Sequence, residues 1–107
     1  IIPSLTLGSK TCMSIFSGVA PNFIKRLYNE TSAQNMEKAL ELQFKYSEIY
    51  QITKVEYPAP TKAMWEIMGR PVGGPRGPQR EISAEGMRSL EKTLDRLGFL
   101  ETEPHGW

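Results

Sequence analysis

The 107-residue sequence has few of the residues that mark disulfide-bonded or metal-binding proteins. It holds one cysteine, Cys12, and one histidine, His105. A single cysteine excludes a disulfide framework within the chain and a zinc site built from cysteines, so we interpret Cys12 as a packed, reduced thiol. No second ligand stands near His105 at the spacing of a metal site. We therefore expect neither a metal nor a cofactor.

The sequence also lacks an excess of either charge and a long apolar run. Thirteen Lys and Arg against twelve Asp and Glu leave a net charge of +1, which gives no overall field for nucleic acid or an acidic membrane. No apolar run approaches the roughly 20 residues of a membrane span. The first residues lack a Met and the basic segment of a signal peptide. We expect a cytoplasmic protein with no nucleic-acid partner and no membrane partner.

One short stretch with little charge stands near the beginning of the chain. Thr11–Phe16 lies between Gly8 and Gly18, and this pattern predicts a strand buried on both faces. Pro21 then opens a segment of helical period, an order typical of a parallel sheet with outer helices. No second strand is predicted, and unpaired backbone groups are costly to bury. Together with the abrupt apolar start at Ile1, this predicts that the chain is part of something larger.

Most of the remaining sequence has the apolar periodicity of helices. The pattern predicts a helix end over Ile1–Leu7, helices from Pro21, from Asn35 to about Ile52 and from Tyr57–Pro60 to Gly69, and a last helix from Ser83 to Gly98. We interpret Arg70–Arg80, rich in Gly and Pro, as a solvated connector. Glu101–Trp107 is predicted to be a loose tail, with Glu101 and Glu103 too exposed to act as an acid–base pair.

Four stretches in register resemble one enzyme family. The stretch from Gly8 to Pro21 is similar to the last barrel strand and following turn of the dihydrodipicolinate synthase / N-acetylneuraminate lyase family. Three further stretches resemble the same family in the same order, namely Asn35–Gln43, Glu56–Ala63 and Gly73–Pro78. Two positions depart from its usual pattern, because Thr11 stands where Gly is usual and Gly18 where Asn is usual.

The resemblance implies a fold of class α/β, in which this chain is the C-terminal fragment of a TIM (β/α)8 barrel, mostly helical as it stands. Residues 1–34 would be the end of the barrel (the end of helix 7, strand 8 and helix 8). Residues 35–107 would be a three-helix C-terminal extension. Such barrels take about 250 residues.

The resemblance also implies a chemistry and its partners. Family members are class I lyases or aldolases that form a Schiff base between a lysine and pyruvate or another 2-oxo acid, and they commonly form dimers or tetramers. That lysine lies on an earlier strand, and Lys10, Lys54 and Lys62 fall outside the position that the mechanism needs. We therefore assign no catalytic residue in this chain.

Two residues of the predicted strand are candidates for substrate binding. Met13 aligns with the family position whose backbone lies beside the Schiff-base lysine. Ile15 aligns where sialic-acid lyases place a substrate-binding serine, and its apolar side chain argues against sialic acid as the substrate. The alternative is that both residues are barrel core.

A second interpretation of the whole chain remains open. The same amphipathic helices would suit an independent, non-enzymatic adaptor that binds a protein partner. This requires Thr11–Phe16 to be helical or to pair with a strand of the partner.

Overall fold

The computed structural model describes all 107 residues and is mostly helical, with no β-strand. Six α-helices are present: α1 (Ile2–Thr6), α2 (Pro21–Ser32), α3 (Met36–Lys54), α4 (Ala59–Ile67), α5 (Ala84–Arg96) and α6 (Phe99–Thr102). A 3-10 turn, Ile15–Gly18, precedes α2. The helix α2 packs against α1 and α3, while α5 packs against α4 and α6. No helix is both long enough and apolar enough to cross a bilayer.

The prediction of a strand over Thr11–Phe16 is wrong. Ser14 has extended backbone angles (φ −137°, ψ 128°), but the chain then coils into the Ile15–Gly18 turn. The Ser14 hydroxyl accepts a hydrogen bond from the Phe16 N–H at 3.2 Å, and the Val19 N–H donates to the Phe16 carbonyl at 3.0 Å. Local hydrogen bonds thus replace the sheet neighbours that the pattern had required. Because no strand is present, an unpaired strand gives no reason to expect a larger protein.

The helix predictions are confirmed, with small shifts at the ends. Pro21 occupies the first helical position of α2, where its missing N–H leaves no partner unsatisfied. Gly8 and Gly98 end their helices at φ 96° and 79°, in the left-handed region that glycine adopts without a steric penalty. Ser83 caps α5, because its side chain accepts from the Gly86 N–H at 3.1 Å. The helix α3 runs to Lys54 rather than Ile52.

The core lies where α2, α3, α4 and α5 meet, and three aromatic rings join it to the end of the chain. Phe99 contacts Phe23 and Phe16 edge to face, with ring centroids 4.9 and 5.1 Å apart. Such pairs each contribute about 0.5–1.5 kcal/mol beyond the area that they bury. The buried core comprises sixteen residues: Ile2, Phe16, Val19, Ala20, Phe23, Ile24, Leu27, Ala39, Leu42, Ile49, Ala63, Met64, Met68, Leu90, Leu94 and Phe99.

One prediction about a polar segment is also wrong, and a second fails at one residue. The tail Glu101–Trp107 is not loose, because Glu103 is only 6% exposed and its segment is bonded to the rest of the chain. The predicted connector Arg70–Arg80 is exposed or half-buried from Pro71 onward, as expected, but Arg70 itself is only 6% exposed. Both charged groups are buried because backbone N–H or carbonyl groups bind them there, which offsets the cost of removing them from water.

Candidate functional site

One concavity of about 570 Å³ has a mostly apolar lining, and we call it the groove. It lies between the segment 13–16 on one side and α3 with the start of α4 on the other. Its volume suits a small-molecule ligand. The lining residues are Met13, Ser14, Ile15, Phe16, Tyr46, Ile49, Tyr50, Thr53, Lys54, Tyr57, Thr61 and Met64.

A hydrogen bond and an aromatic stack hold the two sides of the groove in register. The hydroxyls of Ser14 and Tyr46 lie 3.2 Å apart, which ties the turn to the middle of α3. Tyr50 stands one helical turn further along α3 and stacks on Tyr46, with ring centroids 6.1 Å apart. Ser14 therefore serves twice, as the cap of the 3-10 turn and as the link to α3.

The two candidate substrate residues both lie at this groove. Met13 is fully exposed and Ile15 is 54% exposed, whereas their neighbour Phe16 is buried in the core. The structure therefore brings Met13 and Ile15 together on one open surface and directs Phe16 inward.

Lys54 carries the only charged side chain among the groove's lining residues. The other polar groups of the lining are hydroxyls of serine, threonine and tyrosine, so no carboxylate is available as a general base. Lys62 is directed elsewhere, because its ammonium group donates to the carbonyls of Val72 and Gly73 at 3.3 and 3.2 Å. The groove can thus hold an apolar or anionic molecule, but it lacks a paired acid and base.

Behind the Ile15–Gly18 turn, a buried guanidinium contacts three carbonyl groups. Arg70 donates hydrogen bonds to the carbonyls of Gly18, Val19 and Pro104, with 3.2 Å for Val19. Its carbon Cζ also lies 5.5 Å from the ring centroid of Trp65, within cation–π distance. The Arg70 guanidinium therefore contacts the turn, α4 and the end of the chain.

The side chain of Glu103 lies at the N-terminus of α2. Its carboxylate accepts from the N–H groups of Asn22 and Phe23 at 2.9 and 2.8 Å. Burial raises the pKa of Glu103, while the two backbone donors and the charge of Arg70 act in the opposite direction and offset only part of it. Sequence reasoning missed both Arg70 and Glu103, because no local pattern marks partners so far along the chain.

Comparison with known proteins gives one consistent family. Residues 1–97 match the model of the "Dihydrodipicolinate synthetase family". The 4-hydroxy-tetrahydrodipicolinate synthase of Archaeoglobus fulgidus is 30% identical over 100 residues, which are 92% of this chain and 35% of that enzyme. The enzyme of the same name from Methanocaldococcus jannaschii is 31% identical over the same shares.

Solved structures agree with these sequence relatives. A crystal structure described as a dihydrodipicolinate synthetase from Pseudomonas aeruginosa matches with a TM-score of 0.82 and 26% identity, over 90% of this chain and 33% of that one. A second crystal structure, described as a dihydrodipicolinate synthase, matches with a TM-score of 0.77 and 32% identity, over 91% and 34%. The chain thus spans about a third of the length of the relatives it matches, in their C-terminal portion.

Proposed function

The chain belongs to the dihydrodipicolinate synthetase family, and we propose that it forms the C-terminal part of a Schiff-base-forming lyase or aldolase. The substrate of the intact protein would be pyruvate or another 2-oxo acid. The observation that supports this most is the family match over residues 1–97, combined with coverage of only about a third of each relative.

The role of this chain would be to complete the enzyme rather than to carry its nucleophile. Residues 1–34 would close the barrel and residues 35–107 would form the helical extension that packs outside it. Met13 and Ile15 would contact the substrate from their side of the groove, where both are exposed. The lysine that forms the Schiff base would lie upstream of Ile1, and no cofactor would be needed.

Borohydride trapping tests the proposal. The intact protein is incubated with pyruvate and sodium borohydride, which reduces a Schiff base to a stable secondary amine that peptide mass spectrometry can place. We expect one modified lysine, located upstream of Ile1. The 107-residue chain, treated in parallel, should remain unmodified.

Lys54 makes the parallel treatment informative, because it is the lysine that lines the groove. An adduct at Lys54 in the isolated chain would contradict an upstream nucleophile. No adduct in the intact protein would contradict the Schiff-base chemistry itself. A Lys54→Arg variant of the chain is the matched control, since it keeps the charge and cannot form the adduct.

The intact protein would be a cytoplasmic homo-oligomer, a dimer or a tetramer, whose partner is the small 2-oxo acid. This assembly follows from the family resemblance. Sedimentation of the intact protein tests it, and a strictly monomeric species at micromolar concentration would count against it.

A second candidate is a helical module that binds a protein partner, and one observation favours it. The sixteen-residue core is closed within this chain, and the turn that replaces the predicted strand needs no external sheet. Borohydride trapping in the intact protein separates the two candidates. One modified lysine favours the barrel fragment of a lyase, whereas no adduct favours the module.

A further inference from the structure

The last ten residues, 98–107, lie outside the part of the chain that matches the family model, and they contact the Ile15–Gly18 turn through Phe99 and Phe16. We call them the C-terminal segment. The ring of Phe99 packs edge to face against Phe16 and Phe23, two core residues on either side of the start of α2 that also contact each other. The segment is therefore anchored in the core before its polar contacts begin.

Glu103 supplies hydrogen-bond acceptors that α2 itself cannot provide. The first N–H groups of a helix have no carbonyl partner within it. In α2, Pro21 has no N–H, and Ile24 already donates to the Ala20 carbonyl at 3.2 Å. Only the N–H groups of Asn22 and Phe23 remain, and the two oxygens of Glu103 accept one each. The negative charge also lies at the positive end of the helix dipole.

Arg70 connects the C-terminal segment to the Ile15–Gly18 turn. Its guanidinium donates to Gly18 on one side and to Pro104 on the other, so that one rigid planar group bridges the two. Its Nε is buried without a hydrogen-bond partner, so this planar group is oriented by its other two nitrogens. The turn carries Ile15, and its position therefore depends on residues near the end of the chain.

The segment is also joined to the end of α4. The Gly106 N–H donates to the Met68 carbonyl at 2.9 Å. The rings of Trp107 and Trp65 lie 5.6 Å apart. These contacts close the segment over the buried Arg70.

We infer that the C-terminal segment is a strap that fixes the Ile15–Gly18 turn and the first turn of α2, with Glu103 and Arg70 as positioning residues. Its work is to hold Ile15 at the groove. This inference goes beyond the proposed function, since it concerns how the chain sets one wall of the groove, whatever molecule binds there.

Amide hydrogen exchange of the 107-residue chain, followed by NMR, tests the inference. In Glu103→Ala, the amides of Asn22 and Phe23 lose their acceptors, and we expect their exchange to become at least about tenfold faster. The amides of Leu90 and Leu94 report global unfolding and serve as the internal reference. The Ile15 methyl signals should shift in the same variant.

The isosteric variant Glu103→Gln removes one of the two acceptors and keeps the other. The side-chain amide of Gln has one acceptor oxygen, so only one of the two backbone amides should stay protected. Glu101→Ala, in the same segment but exposed, is the matched control and should change neither amide.

Two results would overturn the strap. One is unchanged exchange at Asn22 and Phe23 in both Glu103 variants. The other is an equal acceleration at Leu90 and Leu94, which would make the segment a contributor to global stability only. If Glu103→Ala does not fold, Glu103→Gln decides by itself, because loss of protection at one amide is still required.

Discussion

The backbone of Gly18 lies against the indole of Trp65 so closely that no side chain fits between them. A Cβ atom at Gly18 would lie 3.0 Å from Cη2 and 3.1 Å from Cε2 of Trp65, and closer still to Cζ2. The φ angle of Gly18 is not in the left-handed region, so steric contact is what requires glycine here. In this chain the indole occupies the space beside Gly18.

Gly18→Ala should therefore lower the free energy of unfolding by about 1–3 kcal/mol, the usual cost of overpacking. Trp65→Phe shortens the ring system, and the double variant should be more stable than the sum of the two single changes predicts. Urea denaturation of all three variants measures this coupling. Strictly additive costs would contradict the close contact.

Gly77→Ala is the matched control for Gly18→Ala. No atom lies within 4 Å of a Cβ placed at Gly77, and its φ angle is not in the left-handed region. We expect its effect on the free energy of unfolding to stay within about 0.5 kcal/mol.

The helices could be predicted because each has a local signal. Pro21, Ser83 and Gly98 mark helix ends through their own backbone geometry or side-chain hydrogen bonds, and these depend on near neighbours. Thr11–Phe16 carries no such signal. A short apolar run suits a strand or a coiled turn equally. Ser14 decides between them here through two local hydrogen bonds, since its hydroxyl accepts from the Phe16 N–H and its carbonyl accepts from the Ser17 hydroxyl.

The groove and its support could be predicted only in part. Met13 and Ile15, candidates from the family resemblance, both line the groove, and their contact with a substrate stays a prediction. Arg70 and Glu103 were missed because their partners lie about 50 and 80 residues away along the chain. Charged residues in Gly-rich or terminal segments are usually solvated, and only the folded chain shows that backbone groups bind these two.

Ser83→Ala should destabilise the chain through one lost cap. The Ser83 hydroxyl accepts from the Gly86 N–H, and replacing a serine cap by alanine costs about 1 kcal/mol. The midpoint of urea denaturation checks this. Ser89→Ala, within the same helix and exposed, should be neutral or slightly stabilising. An equal loss in both variants would contradict a capping role.

Met13→Gln and Ile15→Gln test whether these residues are core or exposed wall. In the 107-residue chain Met13 is fully exposed and Ile15 about half exposed, so each change should alter the free energy of unfolding by less than about 0.5 kcal/mol. Phe16→Ala, at the buried neighbour, should cost about 3–5 kcal/mol and is the matched control. A loss near 2 kcal/mol at Met13 would show that it is packed in the core instead. Thermal or urea unfolding supplies the measurement.

Because Glu103 is buried, the stability of the chain should decrease as the pH rises. Its pKa is raised above the ordinary value of 4.5, so the folded state holds this proton more tightly than the unfolded state. The stability that this provides is complete below the unfolded pKa and is lost as the pH rises through the folded pKa.

Glu103→Gln removes this titration. The free energy of unfolding of the variant, relative to that of the unmodified chain, should therefore increase as the pH rises from about 4 to 7. Urea denaturation at several pH values gives the difference in free energy of unfolding between the two proteins. Glu101→Gln, at an exposed position in the same segment, should keep the pH dependence of the unmodified chain. The opposite result, in which the unmodified chain becomes more stable relative to Glu103→Gln as the pH rises, would contradict the raised pKa. It would mean that the amides of Asn22 and Phe23, together with Arg70, stabilise the carboxylate by more than burial costs.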